Sequence, residues 1–317
     1  GRKLKSHPNI IKKAIRFNME ADSLNCIILG SDVTVEMEEF TIFIKEIVRE
    51  MTAKAGQKCT AIRRTIVPGS MTQSVIDALK QRLETVRVGQ PEAEGVRMGT
   101  LAGLDQVKEV RERVDELRQN AELVFGEREE FEVVDADRNK GAFYEPTLLY
   151  CAEPLHTDSV HEIEAFGPVN TVMPYTDLDE AIQLSAKGGG SLVGSVVTAN
   201  DAIAHKLVLG IAPYHGRVLV LNRESAPEST GHGSPMPTLV HGGPGRAGGG
   251  EEMGGARGVL HYMQRTAIQG SPTTLKNITG EWTRGAEQTQ DKVHPFRKYF
   301  EELEIGETLV THRRTVT

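Results

Sequence analysis

Cys59 follows a glycine by three residues, in Ala55-Gly56-Gln57-Lys58-Cys59-Thr60, at the end of a long amphipathic segment. A thiol placed just beyond a glycine turn can face a cleft, and its thiolate can attack an electrophilic carbon. A carboxylate, Glu20, lies 39 positions earlier, ahead of the apolar run Cys26-Ile27-Ile28-Leu29-Gly30. If the fold brings them together, the thiol can serve as nucleophile and the carboxylate as general base. Farther on, Glu164-Ala165-Phe166-Gly167-Pro168-Val169 sets a carboxylate two residues from an aromatic ring. Such a carboxylate accepts two hydroxyl donors, and the ring offers a flat apolar wall. Taken singly, each residue has a plainer reading. Unbridged Cys is usually a small buried hydrophobe, Glu a surface charge and Phe a core residue.

The elements that must position these residues follow from apolar periodicity. Cys26 to Gly30 reads as a buried strand bounded by a turn signal. Met37, Phe40, Ile44, Ile47, Val48 and Met51 recur at steps of three and four, so 35–55 is expected to be a helix ended by Gly56. Cys59 then falls in the turn before a short strand, Thr65-Ile66-Val67. Helices are expected from Met71 to Val86, from Leu104 to Gln119, from Leu178 to Leu184 after an Asp177 cap, and from Asn200 to Leu209. Strands are expected at 122–125, 169–175, 191–198 and 217–221, with a Gly-rich loop at 90–103. This alternation implies an α/β fold with a parallel sheet.

With these residues in place, the chain resembles the aldehyde dehydrogenase superfamily. Gly56-Gln57-x-Cys59 is similar to that family's nucleophile motif, and the 39-residue spacing is close to that between its base and nucleophile. Gly141-Ala142-Phe143-Tyr144-Glu145-Pro146-Thr147 and Glu164-x-Phe166-Gly167-Pro168-Val169 resemble two further family segments. Around Glu20 the match is partial: Ala21-Asp22-Ser23-Leu24 stands where the family has Leu-Gly-Gly-Lys. The resemblance implies Cys59 as nucleophile and Glu20 as base. It also implies Glu164 on the nicotinamide ribose hydroxyls and Phe166 against the nicotinamide. The expected reaction forms a thiohemiacetal on Cys59, transfers hydride to NADP, and hydrolyses the resulting thioester with water activated by Glu20. An acylating enzyme that passes the acyl group to CoA, or a non-catalytic assembly module, stand as alternatives.

The remaining sequence sets the organisation. His241-Gly242-Gly243-Pro244-Gly245-Arg246-Ala247-Gly248-Gly249-Gly250 contains a literal G-x-G-x-x-G. No strand leads into it and no helix former follows, so it reads as a loop rather than a dinucleotide fingerprint. In the family a Gly-rich loop closes over the active site at this place. His294 to Glu307 resembles the opening of MaoC-type hydratase domains, which have a hotdog fold. An aldehyde dehydrogenase followed by such a domain resembles the bifunctional ring-opening enzymes of phenylacetate catabolism, which implies a CoA-linked aldehyde substrate and a homo-oligomer. The expected divisions are 1–22 (end of a cofactor-binding domain), 23–236 (catalytic α/β domain), 237–278 (Gly-rich loop and oligomerisation segment), 279–293 (linker) and 294–317 (truncated start of the MaoC-like domain). Both ends read as cut, so the chain is expected to be an internal piece of a longer polypeptide.

The chain has 317 residues, 26% charged and 38% hydrophobic, as in ordinary globular proteins. Its net charge of -7 argues against nucleic acid as a partner, and no apolar run nears the ~18 residues of a membrane span. Cys26, Cys59 and Cys151 lie too far apart for a disulfide framework or zinc site, so a reduced, cytoplasmic setting is expected. His156 and His161 are expected to be solvated loop residues with no metal, and Lys3, Lys5, Lys12, Lys13 and Arg16 a solvated face.

Overall fold

The computed structural model describes residues 2–128, 131–236, 241–250 and 256–287. They fall into two compact units, Gly1–Tyr262 and Met263–Thr317. In the first, the order is β1 (Met19–Glu20), β2 (Cys26–Leu29), α1 (Glu38–Thr52), β3 (Arg64–Pro68), α2 (Thr72–Glu84), α3 (Leu104–Leu117), β4 (Glu122–Phe125) and β5 (Thr147–Tyr150). There follow β6 (Val169–Tyr175), α4 (Leu178–Ala186), β7 (Ser191–Val197), α5 (Asp201–Ile211), β8 (His215–Leu221) and β9 (Ala247–Gly248).

Seven strands form one sheet in the order β8-β7-β2-β3-β6-β5-β4. All neighbours are parallel except β4 and β5, which run antiparallel. The sequence pattern pointed to a parallel sheet and did not show β5. Parallel neighbours need a crossover, usually a helix. Between β4 and β5 no helix occurs among the described residues, and Gly126 (φ 94°) and Glu127 (φ 52°) turn the chain back.

Successive residues of β2 feed opposite faces. Ile27 and Leu29 pack with Phe43, Ile47 and Met51 of α1 and with Val75 and Leu79 of α2. Cys26 and Ile28 pack with Leu184 of α4 and with Leu207 and Ile211 of α5. Burial on both faces explains an unbroken apolar run where a one-sided strand would alternate. Val107, Val110, Val114 and Leu117 of α3 cover Phe143, Tyr144, Leu149 and Val169 at the β4 side. Asp177 and Asn200 cap α4 and α5 by accepting backbone N–H bonds.

Segments ending at Asn25, Arg63 and Pro168 run into the N-terminal ends of three strands, β2, β3 and β6. Since β3 pairs with both β2 and β6, the topology gathers those segments along one sheet edge.

The described part of the second unit holds a helix, Pro272–Thr279, capped by Ser271 and ended by Gly280 at φ 73°. The polarity that suggested a loop and linker here conceals good capping chemistry. The hydratase-like stretch 294–317 lies outside the described residues. Among the described residues no helix is long and apolar enough to cross a membrane.

Candidate active site

The loop bearing Cys59 begins where α1 stops at Thr52, earlier than Ala55 because Lys54 (φ 54°), Ala55 (φ 51°) and Gly56 (φ 69°) are all left-handed. A Cβ at Gly56 would stand 2.2 Å from the Gly167 carbonyl oxygen, so glycine is required there. The two alanine- and lysine-type residues adopt a conformation that costs free energy and must be held by their surroundings. Arg63 supplies the hold. Its guanidinium donates to the carbonyls of Gly56 (2.8 Å) and Gly167 (2.5 Å), so two loops close on one buried cation.

Asn25 holds the other side. Its Nδ2 donates to the carbonyls of Cys59 (2.8 Å) and Ala61 (3.0 Å). Its Oδ1 accepts from Ser23 Oγ (2.7 Å) and from the N–H of Val193 (3.1 Å). Every hydrogen-bonding site of this fully buried amide is used, and the Cys59 backbone is pinned to the ends of β2 and β7. The Cys59 side chain itself is partly exposed and not in a disulfide, whereas Cys26 and Cys151 are buried.

Gln57 joins this loop to the Glu164 segment: its Nε2 donates to the Phe166 carbonyl (3.2 Å) and its Oε1 accepts from the Ala102 N–H (2.7 Å). Glu164 lies beside Arg63, Nε to Oε1 3.6 Å, and Arg63 also covers the Phe166 ring at 5.3 Å. The Glu164 carboxyl is raised above the usual carboxylate range by burial, against the pull of Arg63. Its Oε1 is buried and has no hydrogen-bond donor among the described residues. An acceptor in that state fits a ligand hydroxyl, so a ribose suits the residues present.

Glu20 lies on β1, which pairs antiparallel with β9 of the glycine loop, Glu20 opposite Ala247. The loop is therefore an ordered strap. Arg246 forms a two-pronged ion pair with Asp22 and donates to the carbonyls of His161 (3.1 Å) and Glu162 (2.8 Å), while its own carbonyl accepts from Ala21 (2.9 Å). At the start of the strap, His241 Nε2 stands 3.9 Å from Cys59 Sγ. The strap thus contacts both the Cys59 thiol and the strand of Glu20.

Asn25, Arg63, Arg246 and His241 did not announce themselves in the sequence. Only the glycine density around the last two marked the loop. His156 is exposed, as expected, but His161 is buried. Its Nε2 donates to the Pro154 carbonyl (2.9 Å), and its Nδ1 accepts from Arg64 (3.0 Å). Arg64 is a fully buried cation with no carboxylate partner among the described residues, and a neutral imidazole is one of its acceptors. No group of three or more metal-ligating side chains occurs among the described residues. A cavity of about 410 Å³ bordered by Arg111, Arg128 and Tyr144 includes none of Cys59, Glu20 or Glu164.

The model of the aldehyde dehydrogenase family matches residues 1–268. Protein MaoC of Klebsiella aerogenes is 53% identical over 221 residues, covering 69% of this chain and 64% of that protein. A 3,4-dehydroadipyl-CoA semialdehyde dehydrogenase of Aromatoleum evansii is 46% identical over 242 residues, covering 76% and 47%. The chain thus spans about half to two thirds of the length of these relatives. Betaine aldehyde dehydrogenase of Staphylococcus aureus, solved with NAD+, superposes at a TM-score of 0.67 with 22% identity, over 82% of this chain and 49% of that one. Succinic semialdehyde dehydrogenase of Streptococcus pyogenes, solved with NADP+, gives 0.64 and 21%, over 77% and 48%. Those two likenesses concern the fold. The family match runs from residue 1 through the whole glycine strap, and together with the identity to the two longer relatives it settles the assignment: this chain belongs to the aldehyde dehydrogenase family.

Proposed function

We propose that this chain forms the catalytic part of an enzyme that oxidises a CoA-linked semialdehyde to a carboxylic acid, as in PaaZ-type ring-opening enzymes of phenylacetate catabolism. The observation that carries the reading is the placement of the Cys59 thiol. It stands partly exposed on a backbone fixed by Asn25 and Arg63, in a loop tied through Gln57 to the Glu164 segment. A nucleophile held this way needs little reorganisation to meet a carbonyl carbon.

Cys59 attacks as the thiolate and forms a thiohemiacetal, with backbone N–H groups near it stabilising the oxyanion. A nicotinamide dinucleotide, NADP in this proposal, supplies the hydride acceptor when bound. Glu164 accepts ribose hydroxyls and Phe166 walls one side of the ring. Glu20 takes a proton from the water that hydrolyses the Cys59 thioester. That carboxylate favours hydrolysis over transfer to CoA. The 46% identical relative is named for a CoA-linked semialdehyde, which supports the substrate class. A homo-oligomer is the proposed assembly.

Replacing Cys59 by Ala in the intact enzyme tests the reading. Aldehyde-dependent NADPH formation should vanish while the circular dichroism spectrum stays unchanged. A folded variant with normal turnover would remove Cys59 from the mechanism.

A further inference from the structure

We propose that His241 is the proton acceptor that converts Cys59 to its thiolate. This rests on the reading of Cys59 as nucleophile and adds a residue to it. The Nε2 of His241 is 3.9 Å from Sγ, within the reach of a long sulfur hydrogen bond. His241 is half-buried at the start of the glycine strap, and the strap is fixed behind it at several points. A Cβ at Gly216 would meet the Gly242 carbonyl at 1.5 Å, so the backbone next to His241 presses directly on β8.

In the tautomer carrying its proton on Nδ1, His241 accepts at Nε2. The S–H proton moves to that nitrogen and the bonding pair stays on sulfur, giving a thiolate beside an imidazolium. The pair then forms the C–S bond as the carbonyl π pair moves to oxygen. No oxidant enters this step. The two acid–base tasks are thereby divided, His241 serving the thiol and Glu20 the water.

The charged groups around the pair agree with this assignment. Arg63 interacts electrostatically with Cys59 and favours its anion. Lys58, the preceding residue, has its ammonium on Glu50 at 2.7 Å. Glu164 is paired with Arg63, and Glu20 is on the strand paired with the far end of the strap. His215 on β8 is directed to Cys26 Sγ (3.5 Å) and the Ile211 carbonyl (2.8 Å).

The test is the rate at which iodoacetamide alkylates Cys59 in this chain between pH 5.5 and 9.5, followed by peptide mapping. Cys26 and Cys151 are 0% and 1% exposed, so native-state labelling reports Cys59. Wild type should remain reactive near pH 6.5. His241→Gln and His241→Phe should be about tenfold slower there and should titrate as an ordinary thiol near pH ~8.5. Both should melt within a few degrees of the parent, because the side chain is on a half-buried loop. The wild-type thiolate should also absorb near 240 nm at about pH 7, independently of any variant. Identical alkylation profiles in wild type and variants would overturn the proposal while leaving Cys59 as nucleophile. A wild-type Cys59 that does not alkylate would overturn both.

Discussion

Arg63 Nε and Glu164 Oε1 face each other at 3.6 Å, both buried, and neither atom has a hydrogen-bond partner among the described residues. The pair is held close enough to attract but too far apart to satisfy each other. A buried acceptor left in this state is costly, and a hydroxyl donor arriving with a ligand would relieve it. Glu164→Gln should therefore weaken nicotinamide dinucleotide binding by about 1–3 kcal/mol, read by fluorescence titration of the folded variant. Unchanged affinity would make Glu164 a counter-charge for Arg63 and nothing more.

Asn25 is the residue whose loss should most disturb the Cys59 loop without touching the thiol. Asn25→Ala leaves the carbonyls of Cys59 and Ala61 and the N–H of Val193 without their partner. Urea unfolding should show a loss of roughly 2–3 kcal/mol, from several buried groups each costing about 1–3 kcal/mol with partial relaxation. A loss under ~0.5 kcal/mol would mean that water replaces the amide.

Much of this arrangement was legible in the sequence because it rests on local rules. The run at Cys26–Leu29, the three-and-four spacing through α1, and the glycine before Gln57 are periodicity and turn signals. Strand β5 was hidden because Thr147–Tyr150 is short, no helix precedes it after β4 among the described residues, and the helix that follows it, Ser159–Glu162, is a single turn with no sequence periodicity to mark it. The site's supports were hidden for another reason. Asn25 and Arg63 act on backbone carbonyls brought close only by the sheet, and a carbonyl leaves no mark in sequence. His161 misled because histidine is usually solvated, whereas here Arg64 and the Pro154 carbonyl satisfy both of its ring nitrogens inside the fold.

That burial has a consequence for pH. His161 is lowered to about 3, chiefly by burial and then by the positive Arg64. Unfolded histidine titrates near 6.5, so between pH 6.5 and 3 the unfolded chain binds the extra proton. Stability from this group is complete above pH 6.5 and is lost as pH falls toward 3. By pH 4.5 the loss should be about 2–3 kcal/mol. His161→Gln should begin less stable at pH 7 but lose less between pH 6.5 and 4.5 in chemical denaturation. An equal loss in both proteins would assign the acid sensitivity elsewhere.

Arg246 couples the strap to the segment after Glu20. Its ion pair with Asp22 is partly solvated, so Arg246→Ala should cost only about 1 kcal/mol of stability. The kinetic effect should be larger and one-sided. Loosening β9 from β1 displaces Glu20, so thioester hydrolysis should slow by more than tenfold while Cys59 acylation changes little. Equal slowing of both steps, in single-turnover and steady-state assays, would mean that Arg246 does not act through Glu20.

The division of labour between Cys59 and Glu20 is open to one direct measurement. In the Glu20→Gln enzyme, rapid mixing with saturating aldehyde and NADP should give a burst of about one NADPH per site and then near silence. Mass spectrometry of the quenched protein should find the acyl group on the peptide containing Cys59. Continued turnover at the wild-type rate, with no acyl group on that peptide, would contradict the account.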